Sequence, residues 1–168
     1  HVFQAMWTYG TQTGSIIEMV NLAAVYYLAA LAVALTFKAG LFNIGVESQI
    51  RLGALFAAWM GAMVTLPRPL HVLFILAIGA LVGAGWASIA AFLKVKRGVS
   101  EVITTIMLNS IGGALSAYLL SQHFAVVVAG SNNLTTKPLP ESAWIPDLLP
   151  WLHGFGITSV PGGGPYGM

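Results

Sequence analysis

The chain has 168 residues, of which 57% are hydrophobic and only 7% are charged, and its mean hydropathy is +0.82. Soluble domains carry about 25% charged residues, so this composition excludes an ordinary water-soluble domain and predicts a membrane protein. The seven basic and five acidic side chains do not form a nucleic-acid-binding surface, and the lack of cysteine excludes disulfides, thiolate metal sites and a cysteine nucleophile.

The first predicted span covers residues 16–37, because about 20 apolar residues suffice to cross a bilayer. Lys38 follows it, where a lysine snorkels to the membrane surface and meets the negative end of the helix dipole. Residues 1–15 are too polar to span, and two interpretations of them stay open. They form either an interfacial segment with Trp7 and Tyr9 at the headgroup level or a ragged terminus.

A polar segment interrupts the apolar pattern near residues 39–47, where a broken or re-entrant helix is predicted. It belongs to the stretch AGLFNIGVESQIRLG, whose glycines and polar side chains include Gly40, Asn43, Gly45, Glu47, Gln49 and Arg51. An ionised side chain at membrane depth costs about 2.5–3.5 kcal/mol, and unwound backbone there must be buried or wet. The segment is therefore either an ordinary cytosolic turn or a functional break within the membrane.

Two further spans are predicted at residues 46–66 and 70–93, on either side of a turn at residues 67–69, Pro-Arg-Pro. Small residues recur every four positions in both spans, at Gly53, Ala57, Gly61, Gly79, Gly83 and Ala87. Faces of this kind let helix backbones approach closely, so they predict helix packing. The alternative is that small residues are simply scattered through a chain rich in glycine and alanine.

A basic cluster follows the third predicted span and consists of Lys94, Lys96 and Arg97. The positive-inside rule places this cluster in the cytoplasm. The turn at residues 67–69 is then external, and the break near residues 39–47 lies toward the cytoplasmic side or part-way into the membrane. Residues 129–168, rich in proline, glycine and asparagine, are predicted to form a long external loop.

The fourth predicted span, residues 102–120, carries polar side chains at helical spacing. Glu101, Thr105 and Asn109 share one helix face, and Thr104 adjoins it. A polar stripe in lipid turns toward other protein or toward water, which predicts a lining role. The alternative is that the threonines bond carbonyls of their own helix and Asn109 joins two helices. Together these spans predict an all-α fold, a polytopic transmembrane bundle with about four spans.

Patterns for catalysis are missing from the sequence. It contains no GxxxxGK[ST] phosphate loop, no HExxH and no GxSxG, and its four histidines are dispersed, so neither an enzyme nor a metal site is predicted. Glu47 and Arg51 lie four residues apart, a spacing that suits an ion pair on one helix.

Two long motifs resemble a known family. AGLFNIGVESQIRLGA is similar to the FNIG-x-EGQ signature, and RGVSEVITTIMLNSI to the NEVITTIMLN signature, of the membrane subunits of ABC importers. Both belong to the nucleoside and simple-sugar branch of the ribose and branched-chain amino-acid permease superfamily. The resemblance extends over residues 16–146. Ser48 stands where the family usually has glycine, and Ser100 where asparagine is common.

The resemblance implies a multi-pass permease subunit in the cytoplasmic, or inner, membrane, with more spans expected after Met168. It implies three partners: a second permease subunit, a cytoplasmic ATPase that binds ATP and Mg, and an extracytoplasmic binding protein that delivers nucleoside or sugar. This chain itself is expected to bind no cofactor, and the segment that couples to the ATPase matches no motif in it. The positions that match the two motifs are expected to border or shape the translocation path: Asn43, Glu47, Gln49, Glu101, Thr104, Thr105 and Asn109.

Two other classes of function stay open. A secondary transporter coupled to protons or sodium through Glu47 or Glu101 also accounts for acids within the membrane and for a broken helix. A membrane scaffold that transports nothing accounts for the small-residue faces alone.

Overall fold

A computed structural model describes residues 1–127 and 133–144 of the chain, except for the side chains of Thr13 and Ile17. Its regular structure is helical, as the all-α prediction requires. The α-helices are α1 (Val2–Gly10), α2 (Thr13–Lys38), α3 (Val46–Gly61), α4 (Arg68–Arg97) and α5 (Glu101–Leu119). A π-helical turn, Leu120–Phe124, continues α5, and a 3₁₀ turn covers Glu141–Ala143. The predicted external loop, residues 129–168, lies outside the described residues except for 133–144.

The described residues divide into two units, one within residues 1–31 and one within residues 32–144. Residues 1–31 comprise α1, which has no buried residue, and most of α2. The second unit holds the end of α2 and all of α3, α4 and α5. Helix α3 packs on both α4 and α5, so it lies at the centre of the contacts within this unit.

Three helical segments in the described part of the chain are long and apolar enough to cross a membrane: Gly14–Lys38, Arg68–Arg97 and Glu101–Phe124. This differs from the four spans expected. Helix α3 begins at Val46 as predicted but ends at Gly61 instead of residue 66. Its 16 residues extend about 24 Å, whereas a bilayer core is about 30 Å thick.

A buried histidine binds the end of α3. His71 has no exposed surface, and its Nε2 lies 3.0 Å from the Gly61 carbonyl oxygen while its Nδ1 lies 2.7 Å from the Ser142 hydroxyl. A carbonyl only accepts, so Nε2–H donates to Gly61 and Nδ1 accepts from Ser142. The ring therefore satisfies a carbonyl at the end of α3 that a longer helix would use internally.

Helix α4 runs for 30 residues and includes the basic cluster. Pro69 is tolerated in its first turn, where the amide that proline lacks has no helical partner. Gly98 ends the helix in the left-handed conformation, with φ +66°, and the cluster occupies the last turn. Cations are favourable there because the helix dipole and the free carbonyls are negative.

The small residues of α3 and α4 lie where the two helices meet. A Cβ atom added to Gly53 would be 2.8 Å from the Gly79 carbonyl oxygen, and one added to Gly83 would be 3.5 Å from the Gln49 carbonyl oxygen. A Cβ on Gly61 would be 2.6 Å from a methyl group of Ile75. The close approach of the backbones thus depends on glycine, most strictly at Gly53, where the neighbour is backbone.

Replacing His71 by leucine is expected to lower the unfolding free energy of the full-length permease by about 1–3 kcal/mol. The substitution leaves the Gly61 carbonyl and the Ser142 hydroxyl without their buried partner, and an unsatisfied buried group costs about that much. Thermal unfolding in detergent measures the change.

The matched control for this variant is His123→Leu. His123 is exposed and makes only an edge contact with the Tyr118 ring among the interactions described, so its loss is expected to cost at most about 0.5 kcal/mol. Equal melting temperatures for His71→Leu and His123→Leu would contradict the role given to His71.

Candidate functional site

The α2–α3 loop, residues 39–45, begins with a tight reversal at the end of α2. Gly40 has φ +72°, and its amide donates to the Phe37 carbonyl at 3.0 Å while the Leu41 amide donates to the Thr36 carbonyl at 2.9 Å. These two bonds form a Schellman motif, in which glycine adopts the left-handed conformation at low cost. The break predicted near residues 39–47 is therefore present as a defined non-helical segment between Lys38 and Val46.

Asn43 organises the second half of this loop. Its Oδ1 accepts from the Gly45 amide at 2.9 Å and from Gln49 Nε2 at 3.2 Å, and its Nδ2 lies 3.4 Å from Gln49 Oε1. The two side-chain amides thus pair across the start of α3. A Cβ on Gly45 would lie 3.2 Å from both Asn43 Oδ1 and Thr105 Cβ, so this position favours glycine.

Side chains of α5 bind the backbone of the loop and of the first turn of α3. Asn109 Nδ2 donates to the Ile44 carbonyl at 2.8 Å, and Asn109 Oδ1 accepts from the Ser48 amide at 3.1 Å. The Ile44 amide donates to Thr105 Oγ1 at 3.3 Å. Unwound backbone at membrane depth needs partners of this kind, because no water replaces them there.

Ser48 joins this cluster to α4. Its hydroxyl donates to the Gly45 carbonyl at 2.9 Å and accepts from Trp86 Nε1 at 3.0 Å, and only 1% of the residue is exposed. Gly112 of α5 lies against it, since an added Cβ would be 2.6 Å from Ser48 Cβ. This one small side chain of α3 therefore contacts the loop, α4 and α5.

Replacing Ser48 by glycine is expected to destabilise the permease by about 1–2 kcal/mol, because it leaves Trp86 Nε1–H without its buried acceptor. Trp86→Phe removes that donor, so the glycine should cost less in the phenylalanine background. A double-mutant cycle on melting free energies measures this coupling, expected at about 1 kcal/mol. Additive effects of the two substitutions would contradict the Ser48–Trp86 hydrogen bond.

The α5 threonines bond their own helix. Thr104 Oγ1 donates to the Ser100 carbonyl at 3.0 Å, and Thr105 Oγ1 donates to the Val102 carbonyl at 3.2 Å. Both residues are buried. This is the geometry expected from the alternative in which the polar stripe holds helices together, and the lining role of the stripe stays a prediction.

Glu101 occupies the start of α5 and pairs with Lys94, from the last turn of α4. Both line a cavity of about 230 Å³ between the end of α2, the loop, α4 and the start of α5. Asn43 and Thr105 also reach this cavity, and its other lining residues are Thr36, Leu41, Phe42, Ala87, Ala90, Ala91 and Val95. The cavity is thus mostly apolar, and its polar lining residues are Thr36, Asn43, Thr105 and the Lys94–Glu101 pair.

Glu47 and Arg51 lie apart from these contacts. They form the ion pair that their spacing suggested, with 2.6 Å between Arg51 Nη2 and Glu47 Oε1. The Glu47 side chain is 69% exposed and the Arg51 side chain is 55% exposed. Of the seven motif positions, the structure therefore brings Asn43, Gln49, Thr105 and Asn109 together around the loop. Thr104 and Glu101 adjoin that cluster, and Glu47 does not belong to it.

Sequence reasoning did not include Ser48 and Trp86 among the site residues. The available signal for Ser48 was its departure from the glycine of the FNIG-x-EGQ signature, which adds a hydroxyl at a crowded position. For Trp86 the sequence held no comparable signal, because its partner is 38 residues away.

The residues around the loop come from the two long motifs, and one protein-family comparison covers both motifs. The sequence model of the family described as branched-chain amino acid transport system, permease component, matches residues 15–144. The chain belongs to this permease family. The predicted resemblance to ABC permeases is thereby confirmed, and the permease is a membrane protein.

Curated relatives of the permease are named as sugar and nucleoside transporters. It is 38% identical to the glucose ABC transporter permease protein TsgB13 of Haloferax volcanii over 148 residues, which cover 87% of this chain and 36% of the relative. It is 39% identical to the guanosine ABC transporter permease protein NupP of Bacillus subtilis over 104 residues, 62% of this chain and 30% of the relative.

A third relative is the nucleoside ABC transporter permease protein NupB of Lactococcus lactis, 38% identical over 98 residues that cover 58% of this chain and 27% of the relative. The permease chain therefore spans about a third of the length of the curated relatives it matches. No solved structure matches it.

Proposed function

We propose that this chain is part of the membrane subunit of an ATP-driven ABC importer that moves nucleosides or simple sugars across the cytoplasmic membrane. The observation that carries the proposal is the family match over residues 15–144, which includes both long motifs and the loop they hold together. The names of the relatives support the solute class, since they specify glucose, guanosine and nucleosides.

The proposed importer has further subunits. A second permease subunit completes the path, a cytoplasmic ATPase binds ATP and Mg, and an extracytoplasmic binding protein delivers the solute. The assignment of ATP binding to a separate subunit accords with the sequence of this chain, which carries no phosphate loop.

The seven motif positions have two roles in this proposal. Five of them shape the path: Asn43, Gln49, Thr104, Thr105 and Asn109. Their hydrogen bonds fix the course of the unwound loop along α5, the start of α3 and the first turn of α5. Glu47 and Glu101 border the path with carboxylates. A neutral, hydroxyl-rich solute needs such acceptors, and donors beside them, to replace the water it loses.

Uptake measurements test the proposed function. Cells that carry the full-length gene and its partners are expected to take up radiolabelled nucleosides or sugars only while ATP is present. An ionophore that collapses the proton and sodium gradients at constant ATP should leave the initial rate unchanged. Uptake that survives ATP depletion and stops with the ionophore would identify an ion-coupled transporter instead, and the absence of solute flux would favour a scaffold.

A further inference from the structure

The start of α3 lies deeper in the helix bundle than the Lys94–Glu101 ion pair, which marks the end with the basic cluster. Ser48 is bonded to Trp86, which precedes Lys94 by eight residues of α4, and to Asn109, which follows Glu101 by eight residues of α5. At 1.5 Å per helical residue, both helices give a depth of about 12 Å. The two helices therefore give the same depth for Ser48 below the Lys94–Glu101 ion pair.

This depth limits what can surround the exposed charges of α3, Glu47 and Arg51. The basic cluster is predicted to lie at the cytoplasmic membrane surface, so Glu47 lies about 12 Å inside it and Arg51 about 6 Å further in. Both side chains are more than half exposed, and within residues 1–127 and 133–144 the polar contact that they make is with each other. Charges at this depth do not face lipid, because that position is costly even for a paired side chain.

The exposed charges occupy one face of α3, and the opposite face is packed. Ile50 and Ala54 are exposed beside Glu47 and Arg51, at the three- and four-residue steps that define a helix face. The packed face meets α4 and α5 through residues such as Ser48, Leu52 and Gly53. The charged face is thus directed away from the cluster around the loop.

We propose that the face defined by Glu47, Ile50, Arg51 and Ala54 lines the water-filled solute path and that Glu47 and Arg51 together bind hydroxyl groups of the solute. This inference rests on the proposed function and adds to it the residues that touch the solute. Arg51 is the new member, since it is not among the seven motif positions.

The chemistry of the pair suits a neutral solute with several hydroxyl groups. Arg51 has five N–H donors and uses one on Glu47 Oε1, so further donors remain, and Glu47 retains free acceptor sites on its carboxylate. One hydroxyl donates to the carboxylate while its neighbour accepts from the guanidinium. The pair has no net charge, so it does not favour an anion over a neutral sugar or nucleoside.

The polar groups around the loop are less available to a solute. Asn109 uses its amide nitrogen on Ile44 and its amide oxygen on Ser48, and the Asn43 and Gln49 amides bond one another. A solute would have to displace these bonds, at a cost to the loop. The geometry therefore assigns positioning to the loop cluster and direct contact to the α3 face.

Thiol labelling tests whether the α3 face is wet. In a cysteine-free, full-length permease assembled with its partners, Ala54→Cys is expected to react with a charged thiol reagent, because such reagents attack a thiolate in water. The matched control is Ala80→Cys, an exposed alanine of α4 at the same depth, since Gly53 lies against Gly79. The control should stay unmodified, and equally low labelling at both positions would overturn the proposed wet face.

Transport kinetics test the hydroxyl contact in the same assembly, with guanosine, its 2′-deoxy and 3′-deoxy analogues, and glucose as solutes. Glu47→Gln keeps the shape of the side chain and is expected to raise the KM for the imported hydroxylated solute about tenfold or more. It should also reduce the preference for that solute over the deoxy analogues. Glu141→Gln, an exposed acid of the 3₁₀ turn, is the control and should match wild type.

A reversed pair, Glu47→Arg with Arg51→Glu, separates solute binding from a purely structural ion pair. The reversal keeps opposite charges four residues apart but exchanges donor and acceptor, so uptake should remain impaired at normal protein levels. Full recovery in the reversed pair, or an unchanged KM in Glu47→Gln, would overturn the inference while ATP-dependent uptake by wild type still supports the proposed function. A wild-type complex that imports none of these solutes would overturn both.

Discussion

Gly112→Ala is expected to destabilise the permease strongly although it adds only one methyl group. The added Cβ would lie 2.6 Å from Ser48 Cβ, a distance that packed carbon atoms do not tolerate, and a tight 3.3 Å from Trp86 Nε1. Ser48 Cβ is attached directly to the α3 backbone, so α5 and α3 must separate to relieve the clash. Overpacking of this kind costs about 1–3 kcal/mol, and the separation also stretches the Asn109 bond to the Ser48 amide. Thermal unfolding of the purified full-length permease measures the loss.

The neighbouring glycine provides a matched control. Gly113 has no atom within 4 Å of an added Cβ, so Gly113→Ala introduces the same methyl group on the same helix without a clash. Alanine is a better helix former than glycine by up to about 1 kcal/mol, so this control should be neutral or slightly stabilising. If both alanine variants melt at the same temperature, the close contact between α3 and α5 at Gly112 is wrong.

The helices themselves follow from local features of the sequence. Long apolar runs predict α2, α4 and α5, and the break before α3 is marked by Gly40, whose left-handed backbone requires glycine. Gly98 ends α4 for the same reason, immediately after the basic cluster. These signals act within a few residues of the structure they cause, so a pattern along the chain detects them.

The end of α3 was not predictable in this way. The apolar pattern continues to Leu66 and the next proline is Pro67, which favours a longer helix. At the observed end, the His71 ring bonds the Gly61 carbonyl and Leu139 lies close to Gly61, and these residues are 10 and 78 positions further along the chain. Contacts of this range leave no periodic signal, so His71 has the appearance of an ordinary residue near the end of a span.

The candidate site likewise contains local contacts that the sequence predicts and long-range contacts that it does not. The Glu47–Arg51 pair is local, and its four-residue spacing was sufficient to suggest it. The partners of Asn109 are 61 and 65 residues away, so spacing identified a polar stripe but left open what it binds. The resemblance to two family motifs supplied the positions, and only the folded structure shows that the α2–α3 loop runs along α5 and uses their hydrogen bonds.

Asn109→Leu is expected to reduce both the stability of the permease and its maximal rate of uptake. Leucine has a similar size but neither a donor for the Ile44 carbonyl nor an acceptor for the Ser48 amide. Interhelical hydrogen bonds in membrane proteins contribute about 0.6–2 kcal/mol each, so the loss of two should lower the unfolding free energy by about 1–4 kcal/mol. The loop then loses its Asn109 bond to α5 and keeps the bond from the Ile44 amide to Thr105, so fewer molecules hold the path in a competent state.

The division of this effect between KM and maximal rate distinguishes the two interpretations of the polar stripe. Since the Asn109 amide already binds the loop through its nitrogen and the start of α3 through its oxygen, molecules of Asn109→Leu that remain folded should bind solute with a KM within about twofold of wild type. Asn109→Asp, which keeps an acceptor for the Ser48 amide, should fall between leucine and wild type. Ser110→Ala, at the adjacent exposed position, should behave as wild type. A tenfold rise in KM at an unchanged melting temperature would instead place Asn109 in contact with the solute.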